Sequence, residues 1–395
     1  MKSENDEIKN PEADKFLDLT NEKKLYKNKK VRNSSFELLR MILMDLIVLH
    51  HIFINTYSLH KKNICHNKKI ILWKYIILKI ISNYGPFGNN LFIMISGFFS
   101  VTKTDFNIYK FLYFILEVYT YYYPSIFIGK KLSKKYKNLK FLNYSNNKIY
   151  FPLLTNNGNW FIQTYLLLLI FMPYINIGLL SLNKKKYKNL VILIIIFYCI
   201  FNSLANLFNF NSIIFETTNL IRLLLPYIIG GYIKIYNLHL KILWTFMGFI
   251  YLPLTILSEI IFDILTFKFN TCIFIKFHLN LSYSMNSILS ILGTMGLIYL
   301  FKNIKFYSKT INYLSASVLG IYLIHGNKNI SPYIYNIWLD TNNMDNSFFF
   351  IKYIIKAILI MGLSLFIDII RRYTIGLLFD KLIKNIIFIV QNNSK

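Results

Sequence analysis

Cysteine is nearly absent from this chain: Cys65, Cys199 and Cys272 are the only 3 in 395 residues. An odd count, with Cys199 inside the apolar run LVILIIIFYCIF, excludes a disulfide framework and a thiolate metal site. Cys65 stands near His60 and His66 in what reads as a solvated loop, so no metal is expected there. Charge is scarce as well. Charged residues make up 16% of the chain, against 55% hydrophobic and 17% aromatic, and mean hydropathy is +0.41. That composition leaves no soluble domain of useful size and points to a polytopic membrane protein. Acidic residues are the rarest charge, 18 against 45 lysines and arginines, for a formal charge of +27. So basic a chain raises the question of nucleic acid, yet the lysines lie in loops between apolar runs and no compact basic fold presents them. A membrane-surface role accounts for them better, and no nucleic-acid partner is expected. Lys, Asn and Ile abundance also fits an AT-rich coding sequence, so the size of the charge says little about substrate. The first 35 residues carry 8 lysines and Arg32 without an apolar region and cleavage site, which excludes a signal peptide there. An internal repeat of the kind found in transporters built from inverted halves is also lacking.

What the chain has is apolar runs of about 20 residues, enough to cross about 30 Å of hydrocarbon. They cover residues 36–57, 84–101, 108–129, 160–180, 190–208, 218–236, 242–265, 281–301, 311–330 and 348–370. The expected fold is therefore all-α, a polytopic transmembrane helix bundle of about ten spans. Lysine and arginine resist translocation, so NKKKYKN, FKNIKFYSK and the segment after Arg371 belong inside, while NFNSIIFETT and SPYIYNIWLDTNNMDNS belong outside. Both termini are then cytoplasmic. Residues 1–35 form a polar tail, 36–372 the transmembrane domain and 373–395 a short second tail. Two lysine-rich stretches, 59–83 and 130–159, fall on the outer side against the rule. Within the first, KKIILWKYIILKII reads as an interfacial or re-entrant amphipathic helix.

The first span carries the sharpest signal. RMILMDLIVLHHIF, residues 40–53, takes an arginine, an aspartate and two histidines into hydrocarbon. An α-helix returns to nearly the same face after 11 residues and about 16 Å, so Arg40 and His51 share a stripe. Glu37, three residues before Arg40, can pair with it and lower the cost of the guanidinium. Asp45 lies off the stripe and calls for a partner from another helix. Ionisable groups at this depth cost a few kcal/mol each, so they face a cavity or a partner and mark function. The plainer alternative has Arg40 snorkelling inward and both histidines at the outer headgroups.

The stretch NSSFELLRMILMDLIVLHHI resembles the opening of acyltransferase family 3, bacterial membrane enzymes that O-acetylate surface polysaccharides. FGNNLFIMISGFFSVTKTDF, GNWFIQTYLLLLIFMPYIN, LLLPYIIGGYIKIY and INYLSASVLGIYLIHGNKNISP match later blocks in the same order, so the resemblance runs from about Arg32 to Arg372. It implies that His51 is the catalytic histidine and Arg40 its companion, with His50, Ser96 and His325 contributing to substrate binding; Glu37 joins them through its pairing with Arg40. Ser96 and Gly97 fall on a block where small residues let helices pack closely, and no base stands beside Ser96 to make it a nucleophile. His325 falls on the family's late histidine, with a satisfied helix-terminal histidine as the alternative. One departure concerns the donor: many members carry closely spaced arginines before a proline, where KFLYFILEVYTYYYPS has Lys110, Glu117 and Pro124. Phosphate contacts would then fall to Lys103, Lys110 or loop lysines.

The implied activity is an O-acyltransferase of the bacterial plasma membrane. It moves an acyl group, acetyl by resemblance, from cytoplasmic acyl-CoA to a hydroxyl of a surface or lipid-linked polysaccharide. Acetyl-CoA enters as co-substrate and no cofactor is implied; the partners are the bilayer, the acyl-CoA donor and the glycan acceptor. His51 acts as general base, or else carries the acyl group itself. The rival is a transporter or flippase of lipid-linked sugars, in which Asp45, His51 and Arg222 would be substrate or proton groups. Arg222 otherwise reads as a snorkelling residue near Glu216, and Trp160 as an interfacial anchor.

Overall fold

The computed structural model describes residues 33–66, 80–81, 84–136, 153, 159–201, 219–236, 241–269, 287–335 and 348–393. Among these residues there is no strand. The helices are α1 (Ser35–His66), α2 (Tyr84–Ser100), α3 (Ile108–Lys135), α4 (Trp160–Leu180), α5 (Lys184–Ile194) and α6 (Asn219–Ile235). Then follow α7 (Lys241–Phe269), α8 (Ile288–Asn303), α9 (Lys309–Ser315), α10 (Val318–His325), α11 (Phe349–Tyr373) and α12 (Ile375–Asn393). The fifth span continues past α5 as a π-helical stretch, Ile195–Phe201, which holds the buried Cys199. Glu216 and KKIILWKYIILKII apart from Ile80 and Ile81 lie outside the described residues, as do all but the first five residues of SPYIYNIWLDTNNMDNS.

Three of the helices, α4, α7 and α11, are long and apolar enough by themselves to cross a membrane. α1 is longer than any of them, yet Glu37, Arg40 and Asp45 interrupt its apolar content. Its backbone runs on through residues 59–66, so the segment expected as a loop around His60 and Cys65 is helical. The start of α1 is sewn to the α8–α9 junction. Asn33 Oδ1 accepts from the Ser35 and Phe306 amides, Ser34 Oγ donates to Asn312 Oδ1 at 3.0 Å, and Ser35 Oγ donates to the Phe301 carbonyl at 3.0 Å. These contacts set the height at which the charged groups of α1 stand.

Glycine sets two of the helix pairs. A Cβ on Gly97 of α2 would stand 2.1 Å from the Tyr227 carbonyl oxygen of α6, and one on Gly230 would stand 2.1 Å from that of Met94. A Cβ on Gly296 of α8 would meet the Gly248 nitrogen of α7 at 2.4 Å. Backbones approach this closely only where side chains are missing. Of the Ser96 and Gly97 pair, then, Gly97 is the packing residue.

The ninth span differs from the expected single helix. It divides at Ala316 and Ser317 into α9 and α10, and the small hydroxyl residues at the break bond to neighbouring helices. Ser315 Oγ donates to Glu37 Oε2 at 2.9 Å, and Arg372 Nη1 donates to Ser317 Oγ at 3.0 Å. The segment after Tyr373 also departs from a plain tail. Thr374 breaks the helix (φ −111°, ψ −88°), and α12 then lies against the start of α3, where Tyr109 donates to Asp380 and Phe379 meets Tyr113 edge to face. The α2–α3 connection is held from the side. Asn176 Nδ2 donates to the Ser100 and Lys103 carbonyls at 2.7 and 2.6 Å, while its Oδ1 accepts from Tyr227 OH at 2.8 Å.

Candidate active site

Helical periodicity places Arg40, Met44 and Ile47 on one face of α1, and these residues line a cavity of about 360 Å³. Ser96 of α2, Lys110 and Phe114 of α3, Phe161 and Tyr165 of α4, Ser315 of α9 and Tyr322 of α10 close it. A second cavity of about 480 Å³ adjoins it through Lys110, Tyr165 and Leu169, and is bordered by the α2–α3 connection from Thr102 to Asn107. Volumes of this order suit a small-molecule ligand.

The cavity's charged groups gather at one end. Arg40 Nη1 meets both oxygens of Glu37 at 3.3 Å, and Ser315 Oγ holds the second of them. Glu37 is buried and Arg40 about one quarter exposed. A guanidinium has five N–H donors, so this pairing leaves Arg40 donors for a ligand. Lys110 stands at the junction of the two cavities, and Lys103 lines the second. Partial burial, and then the nearby ammonium of Lys110, hold Lys103 below the usual lysine range. An ammonium that lowers its neighbour in this way marks a place where an anion relieves repulsion.

His51 is the next residue on the stripe that runs Arg40, Met44, Ile47. Its ring faces the bundle interior, where Nδ1 lies 3.1 Å from Nε2 of His325. His325 ends α10, is fully buried, and its Nδ1 is 2.7 Å from the Ile321 carbonyl oxygen. Tyr335 OH donates to the His325 carbonyl at 3.3 Å. The two imidazoles, 274 residues apart in sequence, thus meet in the bundle core with ring centroids 5.1 Å apart. His50 is elsewhere: its ring seats against Gly85, where a Cβ would stand 2.4 Å from His50 Cδ2. The cavity wall stops one turn short of the imidazole pair, at Ile47 and Tyr322, and includes none of the three histidines. Ser96 does line it, with its hydroxyl turned back to donate to the Phe92 carbonyl. Asp45 is exposed on the far side of α1, and the partner expected from another helix is not seen among the described residues.

Beyond the histidine pair, toward the opposite end of the bundle, lies a smaller pocket of about 40 Å³ with a mostly apolar wall into which Asn159, Gln163, Asn327 and Lys328 bring polar side chains. Ile162 borders both this pocket and the large cavity, and Tyr322 of the cavity wall donates to Asn159 Oδ1 at 2.8 Å. The same Asn159 oxygen accepts from the Phe161 amide and so starts α4. Trp160 meets Phe161 edge to face at this helix start, and Arg222 is half-buried near the start of α6.

Two features escaped the sequence. Ser315, the anchor of Glu37, carried no signal beyond its place in a small-residue run. The other is a buried cluster between α3 and α11, where Arg371 Nη2 donates to Glu117 Oε1 at 2.8 Å and Nε to Asp368 Oδ1 at 2.9 Å. Tyr121 OH donates to the same Asp368 oxygen at 2.5 Å. The acid-x-x-arginine spacing of Asp368 and Arg371 repeats that of Glu37 and Arg40 and was the available clue. Arg371 brings a guanidinium beside α3, where the sequence has none, but two carboxylates already engage it. The cations that face the cavity remain Arg40 and Lys110.

Apolar helices enclose a buried imidazole pair, and Ile47 and Tyr322, one turn before its two members, line a cavity that Arg40 and Lys110 also line. Acyltransferase family 3, described as an acyltransferase domain, matches residues 33–369; the chain belongs to this family and is an acyltransferase. No curated protein and no solved structure matches the chain.

Proposed function

We propose that this acyltransferase moves an acetyl group from cytoplasmic acetyl-CoA to a hydroxyl of an envelope glycan on the far side of the plasma membrane. The observation that carries the reading is a histidine pair set between two cavities, one lined by Ile47 and Tyr322, a turn before each imidazole, and the other by Gly326 and Asn327, just after His325. The larger has Arg40 and Lys110 in its wall; the smaller has the amides of Asn159, Gln163 and Asn327 within a mostly apolar wall. The large cavity opens at the end of the bundle that bears Lys103, Lys110, Lys184, Lys305, Lys309 and Arg371, which the positive-inside rule assigns to the cytoplasm. Amide side chains on the opposite side suit sugar hydroxyls.

Arg40 and His51 stand about 16 Å apart along one helix. That separation is too great for both to act on one carbonyl, so Arg40 is a donor-holding group and His51 the catalytic one. The CoA phosphates rest at Arg40, Lys110 and Lys103, and the pantetheine arm lies along the Met44 and Ile47 face. The acceptor hydroxyl gives its proton to His51 as its oxygen bonds to the thioester carbonyl carbon. The carbon–sulfur bond then breaks, and the proton passes from His51 to the departing thiolate. General-base assistance of this kind contributes about 10²–10⁴-fold.

The test is mass spectrometry of envelope glycans from cells carrying wild type, His51→Ala or Arg40→Ala, with membrane insertion of each verified. Acetylated glycan should disappear with His51→Ala and fall with Arg40→Ala. Full acetylation by His51→Ala overturns the reading, and transport of a lipid-linked sugar without acetyl-CoA consumption favours the flippase instead.

A further inference from the structure

We infer that His325 is a positioning residue that selects the tautomer of His51. The inference rests on His51 being the general base. The hydrogen-bond chain decides the assignment. A backbone carbonyl only accepts, so the 2.7 Å contact to Ile321 O requires a proton on His325 Nδ1. In the neutral ring that leaves Nε2 as an acceptor, and the group it faces at 3.1 Å is His51 Nδ1. His51 therefore carries its proton on Nδ1, and its lone pair is on Nε2. The other nitrogen of a histidine is commonly set in this way by what its partner demands.

The frame around His325 allows little else. The residue is fully buried, its Nδ1 is tied to the carbonyl one turn back in α10, and its own carbonyl accepts from Tyr335. When His51 Nε2 takes the proton of the acceptor hydroxyl, its Nδ1–H keeps the same acceptor, and no proton has to cross between the rings. His325 acts through His51 and touches no reacting atom. This places it apart from the substrate-binding role that the sequence suggests.

Three variants separate positioning from mere packing. A glutamine at 325 can present its amide oxygen near the place of Nε2, an asparagine reaches only the place of Nδ1, and a leucine offers no acceptor. With acetyl-CoA as probe in isolated membranes, His325→Leu and His325→Asn should lower kcat by about 10²-fold or more, while His325→Gln stays within about tenfold of wild type, all with KM nearly unchanged. Glutamine no better than leucine, or leucine as fast as wild type, overturns the inference. A second measurement is independent of turnover: nitrogen-15 spectra of histidine-labelled protein in lipid nanodiscs, with the His51 signals assigned as those lost in His51→Gln. The Nδ1–H form of His51 in wild type, lost in His325→Leu while the other histidine signals stay in place, supports it. The Nε2–H form in wild type overturns it. If wild type consumes no acetyl-CoA, the acetyl-transfer reading fails and the spectra still decide the tautomer.

Discussion

Arg40 is the residue whose surroundings say most about what it can hold. Glu37 takes one of its nitrogens and is itself fixed by Ser315, so the guanidinium stays where α1 puts it and presents its remaining edge to the cavity. Ser315→Ala removes that anchor while leaving the charges, and is expected to raise KM for acetyl-CoA severalfold with little change in kcat. Lys103 makes a prediction with a sign. Burial and Lys110 lower it, so it loses its charge at a lower pH than an ordinary lysine, and a donor anion loses a contact as pH rises through that range. KM for acetyl-CoA should therefore climb at alkaline pH in wild type. Lys103→Arg, which stays charged throughout, should flatten the climb; a profile unchanged by the substitution removes Lys103 from the donor site.

Among the elements, α2 is the one against which others are set, because Gly97 lets α6 reach it backbone to backbone. Gly97→Val has no flexible side chain to push aside, only the Tyr227 carbonyl. It should destabilise the protein by at least about 2 kcal/mol, seen as a lower unfolding temperature in detergent, whereas Ser96→Ala beside it should have little effect on that temperature. The α3–α11 pair makes a second case. Arg371→Met strands Glu117 and Asp368 in the interior, a change worth about 3–5 kcal/mol. Glu117→Gln keeps a hydrogen-bonding group and leaves Asp368 to hold Arg371, so it should cost clearly less in the same unfolding assay. Equal losses would mean that the cluster acts by shape and not by charge.

For the whole molecule, the proposal demands that the two cavities open to opposite sides of one membrane. In a variant lacking the three native cysteines, Lys328→Cys should react with an impermeant maleimide added to intact cells, and Lys185→Cys only after permeabilisation. The reverse pattern inverts the orientation and removes cytoplasmic acyl-CoA from the large cavity. Both positions lie on described segments at opposite ends of the bundle, so the labelling reads topology directly.

The sequence by itself determined that the chain is helical and membrane-bound, and it marked Arg40 and His51 as one stripe with Glu37 beside Arg40. Those are properties of composition and of the helical repeat, which act over a few residues and need no partner. It also carried the family, in blocks whose order survives without coordinates. Only the tertiary structure decided that the ninth span divides at Ser317, that Glu117 pairs with Arg371, and that His50 turns to Gly85 while His51 meets His325. Each of these joins groups on different helices, and the distance along the chain, up to 274 residues for the two imidazoles, carries no trace of it. The pairing comes instead from packing, which in a bilayer brings small residues together and makes each buried polar group find its partner on a neighbouring helix.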